Sequence, residues 1–178
     1  VLDTELQLFL RSILPDEDAV QTELREYADA HHISVVDPEV GYLLHVLTGL
    51  VKPQNVLEIG TAIGCSGIYI ARAMNGGQLT TIELTEERHN MALEYFRRAG
   101  VADNIQAICG DAREIVPQLT EQYDMIFMDA AKGQYLEFLA VADRILKPGG
   151  LLVADNVLLN GWVVNLNYPR HRQKTMVY

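Results

Sequence analysis

The chain has 178 residues, of which 49% are hydrophobic and 21% charged, and its formal net charge is −10. These values are typical of one globular domain with a substantial core, and they exclude wholesale disorder. The acidic balance counts against a general nucleic-acid-binding protein, which usually carries a basic face. No apolar run approaches the roughly 18 residues that span a bilayer, and two cysteines are too few for a disulfide framework or a zinc site. We therefore expect a cytoplasmic protein that does not act at a membrane.

The first fifty residues predict three helices, and the rest of the chain predicts strands and helices in alternation. Apolar spacing indicates helices over residues 4–14, about 16–31 and 38–50. Short apolar runs then predict five strands, at 55–60, 78–84, 104–110, 123–129 and 151–157. The segments between the strands predict helices over 65–74, 85–100, 112–119 and 132–146.

This alternation predicts an α/β fold: a doubly wound, mostly parallel, Rossmann-like sheet with helices on both faces. We interpret residues 1–178 as a single domain, with a helical N-terminal appendage (1–50) and a core (55–157). Residues 158–178 contain no further strand pattern. We therefore expect this C-terminal part to be incomplete, with additional strands missing after Tyr178.

Polar residues follow the first three predicted strands, at the edge where open α/β sheets bind ligands. "EIGTAIGCSG" places Gly60 and Gly64 four residues apart, so the dinucleotide motif G-x-G-x-x-G is not matched. A glycine-rich turn alone is as consistent with a plain tight turn as with a ligand loop. Glu83 ends the second strand, where such folds place an acid on a ribose diol. Asp111 follows the third strand and suits an adenine amino group, although it could equally cap a short helix.

The fourth and fifth predicted strands end in Asp129 and in the pair Asp155-Asn156. If these strands are adjacent, two carboxylates and an amide oxygen converge, which is a ligand set suited to Mg²⁺. The alternative is a helix cap and a polar turn, but two acids buried together without a cation would be costly. Lys132 follows Asp129 after two alanines, which leave room for another molecule.

The segments "VLEIGTAIG", "GDA", "FMDAAKGQY" and "ADNVLLNG" resemble the class I S-adenosylmethionine-dependent O-methyltransferases. The resemblance covers about residues 35–164 and is to the cation-dependent branch, which includes catechol and caffeoyl-CoA O-methyltransferases. Within that branch, the sequence looks most like the bacterial tRNA 5-hydroxyuridine methyltransferases, on the segments "EYADAHHISV", "EIGTAIG", "DAAKGQY" and "DNVLLNG". The chain departs from plant-type members at Ala131, where they often carry an acid, and from the two further strands that usually close the family's sheet.

The resemblance implies S-adenosylmethionine as methyl donor and Mg²⁺ or another divalent cation as cofactor. The residues it implies for donor binding are Glu58, Gly60, Gly64, Ser66, Glu83, Asp111, Ala112 and Asp129. The cation would be held by Asp129, Asp155 and Asn156, and the catalytic residues would be Lys132, as general base, and Asp129. A nearby cation would disfavour the ammonium form of Lys132.

The expected acceptor has two adjacent oxygens, and 5-hydroxyuridine in tRNA is preferred to a small catechol-like or phenolic molecule. The resemblance favours tRNA, whereas the net charge favours the small molecule. A basic cluster formed by Arg170, His171, Arg172 and Lys174 could contact phosphate, although four such residues are more often a solvated helix face. Trp162 and Tyr168 could stack on a flat acceptor or anchor their loop. The resemblance also implies a homodimer formed through the N-terminal helices.

Three other functions are disfavoured. An NAD-dependent reductase would need the dinucleotide motif that fails at Gly60–Gly64. A non-catalytic adenosylmethionine-binding module would not need the intact Lys132 and the metal residues. An N-methyltransferase would be expected to end its fourth strand in a motif like N/D-P-P-Y, which is absent.

Overall fold

The computed structural model describes residues 4–158. Three helices come first: α1 (Thr4–Ile13), α2 (Ala19–Ala30) and α3 (Pro38–Val51). The strands are β1 (Asn55–Ile59), β2 (Gln78–Glu83), β3 (Ile105–Cys109), β4 (Tyr123–Met128) and β5 (Leu146–Ala154). The helices between them are α4 (Cys65–Ala73), α5 (Glu86–Arg98), α6 (Ala112–Ile115) and α7 (Tyr135–Ile145). Short 3₁₀ turns lie at Ala102–Asn104, Val116–Gln118 and Lys132–Gln134.

The strands form one parallel sheet in the order β3-β2-β1-β4-β5. The chain adds strands outward from β1 in one direction and then continues from β4 in the other. The carboxyl ends of β1 and β4 therefore border the switch point at which such sheets bind ligands. The predicted fold class is confirmed.

Alternate residues of β4, an interior strand of the sheet, pack in two separate hydrophobic cores. Met125 and Phe127 pack on one face of the sheet, in the core that includes residues of α2, α3, α4 and α5. Ile126 and Met128 pack on the other face, against residues of α7. Residues 125–128 of the strand are all apolar because both faces of the sheet are covered by helices.

The start of the fifth strand was predicted wrongly. The sequence predicted that residues 147–150 form a turn after the preceding helix and that the strand starts at Leu151. In the structure, β5 begins at Leu146. Leu146 pairs with Tyr123 and Leu151 with Met125, so the intervening residues form a bulge inside the strand. Gly149 permits this with a φ of +82°, a conformation that favours glycine.

The predicted helix over 132–146 is also divided, into the 3₁₀ turn at Lys132–Gln134 and α7. The other bounds differ from prediction by only a few residues. The C-terminal expectations for Trp162, Tyr168, the basic cluster and the missing strands all lie outside the described residues. Within residues 4–158, no helix is both long enough and apolar enough to cross a membrane.

Candidate active site

A cleft of about 400 Å³ lies at the carboxyl ends of the strands, on the switch point between β1 and β4. One wall comes from residues 34–36, in the connection between α2 and α3. Eight of the residues predicted for the site line the cleft: Gly60, Ser66, Glu83, Asp111, Ala112, Asp129, Lys132 and Asn156. The other three predicted residues, Glu58, Gly64 and Asp155, are not among its lining residues.

The floor of the cleft is formed where the ends of β1 and β4 meet. The Asp129 amide donates a hydrogen bond of 2.9 Å to the Ile59 carbonyl. A Cβ atom at Gly60 would lie 2.1 Å from the Asp129 carbonyl oxygen, and Gly60 has a φ of +106°. Both the space and the backbone conformation therefore require glycine at this position.

Glu58 lies beneath this floor, fully buried. Its two carboxylate oxygens accept hydrogen bonds from the Ser66 hydroxyl, at 2.5 Å, and the Thr81 hydroxyl, at 2.6 Å. Burial raises the pKa of Glu58 to about 7, although these two hydrogen bonds oppose the shift. Glu58 has no exposed surface and orients Ser66, which lines the cleft, so a contact between Glu58 and the donor stays a prediction.

Gly64 is not among the lining residues of the cleft, and its predicted part in donor binding stays a prediction. It precedes α4 with a φ of +96°, and a Cβ atom there would lie 2.7 Å from the Phe96 ring. The glycine therefore allows α4 to pack closely against α5, while Cys65 and Ser66, the first residues of α4, line the cleft.

Glu83 is buried, and backbone groups fix its carboxylate at the cleft. One oxygen accepts a hydrogen bond from the Ala62 amide and the other from the Thr85 amide, each at 2.9 Å. A carboxylate oxygen can accept a second hydrogen bond, so Glu83 retains the capacity to bind hydroxyl groups.

Asp111 caps α6, which was one of the two roles that the sequence suggested for it, and it also lines the cleft. Its carboxylate accepts a hydrogen bond of 2.8 Å from the Arg113 amide and forms an ion pair with the Arg113 guanidinium. These interactions lower the pKa of Asp111, so the carboxylate is charged at neutral pH.

The ends of β4 and β5 bring Asp129, Asp155 and Asn156 into one region. Burial raises the pKa of Asp155, and the negative charge of Asp129 raises it further, so the two carboxylates repel each other. Asp155 accepts a hydrogen bond of 2.6 Å from the Asn156 amide, and Asn156 itself lines the cleft with a φ of +54°.

These three residues fit a hard divalent cation, because their oxygens suit its coordination and its charge would offset the repulsion between the carboxylates. Residues 4–158 contain no cluster of three or more His, Cys, Asp or Glu side chains arranged for a metal. The predicted set is of another kind, with two acids and one amide.

Lys132 lies beside Asp129, with its Nζ atom 2.8 Å from Oδ1 of that carboxylate. Burial lowers the pKa of Lys132, but hydrogen bonds to Asp129 and to the Tyr135 hydroxyl raise it by more. Lys132 is therefore an ammonium ion in the described structure. It forms an ion pair with Asp129, the carboxylate that was predicted to bind a cation.

Sequence reasoning missed the polar residues that support the cleft from behind. Thr81 lies within a buried strand, and Tyr135 begins α7. Single polar residues in apolar segments were the available signal, but the partners of such residues depend on tertiary packing. The wall at residues 34–36 was missed because it lies far from the strand ends in the sequence.

The O-methyltransferase family matches residues 12–178. This chain belongs to that family. A catechol O-methyltransferase from Niastella koreensis is 37% identical over 158 residues, covering 85% of this chain and 72% of that protein. Caffeoyl-CoA O-methyltransferase 1 from Eucalyptus globulus is 34% identical over 161 residues, covering 86% of this chain and 65% of that protein. This chain thus spans about two thirds to three quarters of the length of these relatives.

A solved structure shares the architecture described above. The O-methyltransferase TomG from Streptomyces achromogenes, involved in tomaymycin synthesis and solved in complex with S-adenosylmethionine, has a TM-score of 0.88 and 32% identity. The match covers 97% of this chain and 80% of that chain.

Proposed function

We propose that this protein transfers a methyl group from S-adenosylmethionine to a hydroxyl oxygen that has a second oxygen beside it, with the help of a divalent cation. The observation that carries the proposal is the convergence of Glu83, Asp111, Asp129 and Asn156 on one cleft at the switch point of the sheet. Membership in the O-methyltransferase family and the donor bound to TomG support the same reaction.

The donor would lie across the ends of β1, β2 and β3. Glu83 would accept hydrogen bonds from the ribose hydroxyls, and Asp111 with Ala112 would bind the adenine. The turn after β1, with Gly60 and Ser66, would hold the methionine portion. The cleft supports this order, because residues after all three strands line it side by side.

Asp129, Asp155 and Asn156 would hold the cation. When bound, the cation would lower the pKa of the acceptor hydroxyl and hold the two acceptor oxygens in place. In the transfer, the bond from the methyl carbon to the donor sulfur breaks as the bond to the acceptor oxygen forms, and the hydroxyl proton leaves. Lys132 would receive that proton as the free amine, a form that is favoured once the charge of Asp129 is shared with a cation.

A small catechol-like diol is the acceptor that we favour. The net charge of −10 and the similarity to a protein named as a catechol O-methyltransferase support it. The second candidate is 5-hydroxyuridine in tRNA, supported by the sequence resemblance and by the basic residues at 170–174. Both acceptors carry adjacent oxygens.

We also propose that the protein acts as a homodimer in the cytoplasm. Exposed apolar residues on α1 and α3, among them Phe9 and Leu50, support an interface between two copies.

Calorimetry and methyl-transfer assays with catechol test this function directly. Asp155→Ala should abolish transfer while S-adenosylmethionine still binds, because the donor site is built from other strand ends. The control Asp143→Ala removes an exposed acid from α7 and should have no effect. EDTA should stop transfer and Mg²⁺ should restore it. Full activity in excess EDTA would overturn the cation requirement, and failure to bind S-adenosylmethionine would overturn the donor assignment.

A comparison of methyl transfer to the two acceptors decides the substrate class. The protein is assayed with catechol and with tRNA that contains 5-hydroxyuridine. If tRNA is the acceptor, its binding should weaken steeply with salt because phosphate contacts release counterions. Methylation of tRNA but not of catechol would reverse our preference.

A further inference from the structure

Tyr135, the first residue of α7, connects the ends of β4 and β5 through its hydroxyl group. The hydroxyl oxygen lies 3.0 Å from the Met128 carbonyl oxygen and 3.0 Å from the Asp155 carbonyl oxygen. The Nζ atom of Lys132 lies 2.9 Å from the same hydroxyl oxygen. One phenol thus contacts both strand ends that carry the predicted cation ligands, and also the predicted base.

These contacts engage the hydroxyl both as a donor and as an acceptor. Its single hydrogen is shared between the two carbonyls, so the ammonium group of Lys132 meets the oxygen as an acceptor. Tyr135 is buried, with 6% of its surface exposed, so water has little access to replace these bonds. The position of Nζ is therefore set by two oxygens, one on Asp129 and one on Tyr135.

We propose that Tyr135 is a positioning residue for methyl transfer, whose hydroxyl fixes the Lys132 amine and ties it to the ends of β4 and β5. The inference rests on the proposed function, because it assigns Lys132 to proton transfer. Tyr135 does not itself reach the cleft lining and acts through Lys132.

Tyr135→Phe isolates the hydroxyl, because the aromatic ring remains. The ring centroid lies 5.0 Å from Nζ, so the phenylalanine keeps this cation–π contact while losing all three hydrogen bonds. Tyr123→Phe is the matched control. Tyr123 is a buried residue at the opposite end of β4, and it is not among the residues that line the cleft.

The kinetic test measures kcat, KM and donor affinity for both variants of the whole protein. Tyr135→Phe should lower kcat by about 10- to 100-fold, the range for loss of a hydrogen bond to a charged group. The KM for S-adenosylmethionine and its calorimetric affinity should stay within about twofold, since the donor-binding residues are untouched. Tyr123→Phe should leave kcat unchanged, because Tyr123 lies at the end of β4 away from the cleft. Equal kcat losses in both variants would reduce Tyr135 to a structural residue and overturn the proposal.

A crystal structure of Tyr135→Phe supplies a measurement that does not depend on activity. The Lys132 amine should leave its position beside Asp129 or occupy it only in part. An amine in its original position, with kcat unchanged, would overturn the inference. If the parent protein transfers no methyl group to any diol, the proposed function fails, and the position of Lys132 in this crystal structure alone decides whether Tyr135 positions it.

Discussion

Gly60 illustrates how a single residue sets the spacing of the candidate site. A side chain there would collide with the backbone of Asp129, so Gly60→Ala must push the ends of β1 and β4 apart. We expect the free energy of unfolding to fall by about 2–4 kcal/mol, from the collision and the positive φ together, and donor affinity to fall with it. Gly76→Ala provides the control, since Gly76 has a φ of +82° but no atom within 4 Å of the added Cβ. It should lose only about 1 kcal/mol in chemical denaturation. Equal losses would show that the contact with Asp129 does not matter.

Glu58 should make stability depend on pH. Its pKa is about 7 in the folded protein and roughly 4.5 in an unfolded chain. Between these values the unfolded state releases its proton first, so the free energy of unfolding should fall as pH rises and level off above the folded pKa. Glu58→Gln mimics the protonated form and should remove this contribution. Relative to the parent, the variant should gain on the order of 3 kcal/mol between about pH 4 and about pH 8. A constant difference measured by denaturation across that range would contradict the raised pKa.

The sequence predicts the positions of polar site residues better than it predicts their contacts. Glu83, Asp129 and Asn156 could be assigned to the cleft because the carboxyl ends of parallel strands meet at one edge of the sheet. Glu58 could not be placed in the same way. It lies one residue before the end of its strand, and only the packing of α4 above it determines that Ser66 covers it.

Among the elements, α2 is attached to the cleft by an ion pair that is largely buried. Arg25 binds Glu17 and donates a hydrogen bond of 2.6 Å to the carbonyl of Val36, a residue of the cleft wall. Arg25→Met should therefore lower the free energy of unfolding by about 3–5 kcal/mol, because Glu17 loses its charge partner, and should weaken donor binding through the displaced wall.

The matched variant is Arg98→Met. Arg98 pairs with Glu23, also on α2, but these side chains are 37% and 52% exposed, against 16% and 13% for Arg25 and Glu17. Loss of this exposed pair should cost much less stability than loss of the Arg25 pair and should leave donor binding unchanged. Calorimetric unfolding of both variants gives the comparison, and similar losses would show that burial of the Arg25 pair is unimportant.

Element types followed from the sequence because apolar periodicity and helix-end signals act locally. The bulge in β5 could not be predicted from these local signals. Pro148 and the glycines after it are typical of a turn, and only pairing of Leu146 with Tyr123 extends the strand across them. Contacts between strands that are distant in sequence override local propensity here.

For the whole molecule, the alternation of strands and helices was sufficient to predict a parallel sheet but not the order of its strands. The order β3-β2-β1-β4-β5 follows from which strand pairs with β1 on each side. That order makes β4 and β5 neighbours, as the proposed cation site requires. The resemblance to a known family, rather than the residue pattern, supplied the expectations about the acceptor and the dimer.

The assembly state can be tested on the apolar surface of α1 and α3. These neighbouring helices expose Phe9, Ile13, Leu43, Val46 and Leu50. Exposed apolar groups that lie together commonly mark a contact with another protein, and a second copy would bury them without introducing new charge. Sedimentation at micromolar concentration should therefore show a dimer.

Leu50→Asp places a charge on the most exposed of these side chains, which is 74% accessible, and should weaken the dimer at least tenfold because an unpaired carboxylate would be buried on association. The control Leu93→Asp introduces the same charge on α5, at a side chain that is 43% exposed and outside this surface, and should leave the dimer intact. A monomeric parent protein would refute the homodimer, whereas equal weakening by both variants would show that added negative charge, and not the α1–α3 surface, controls association in a chain that already carries a net charge of −10.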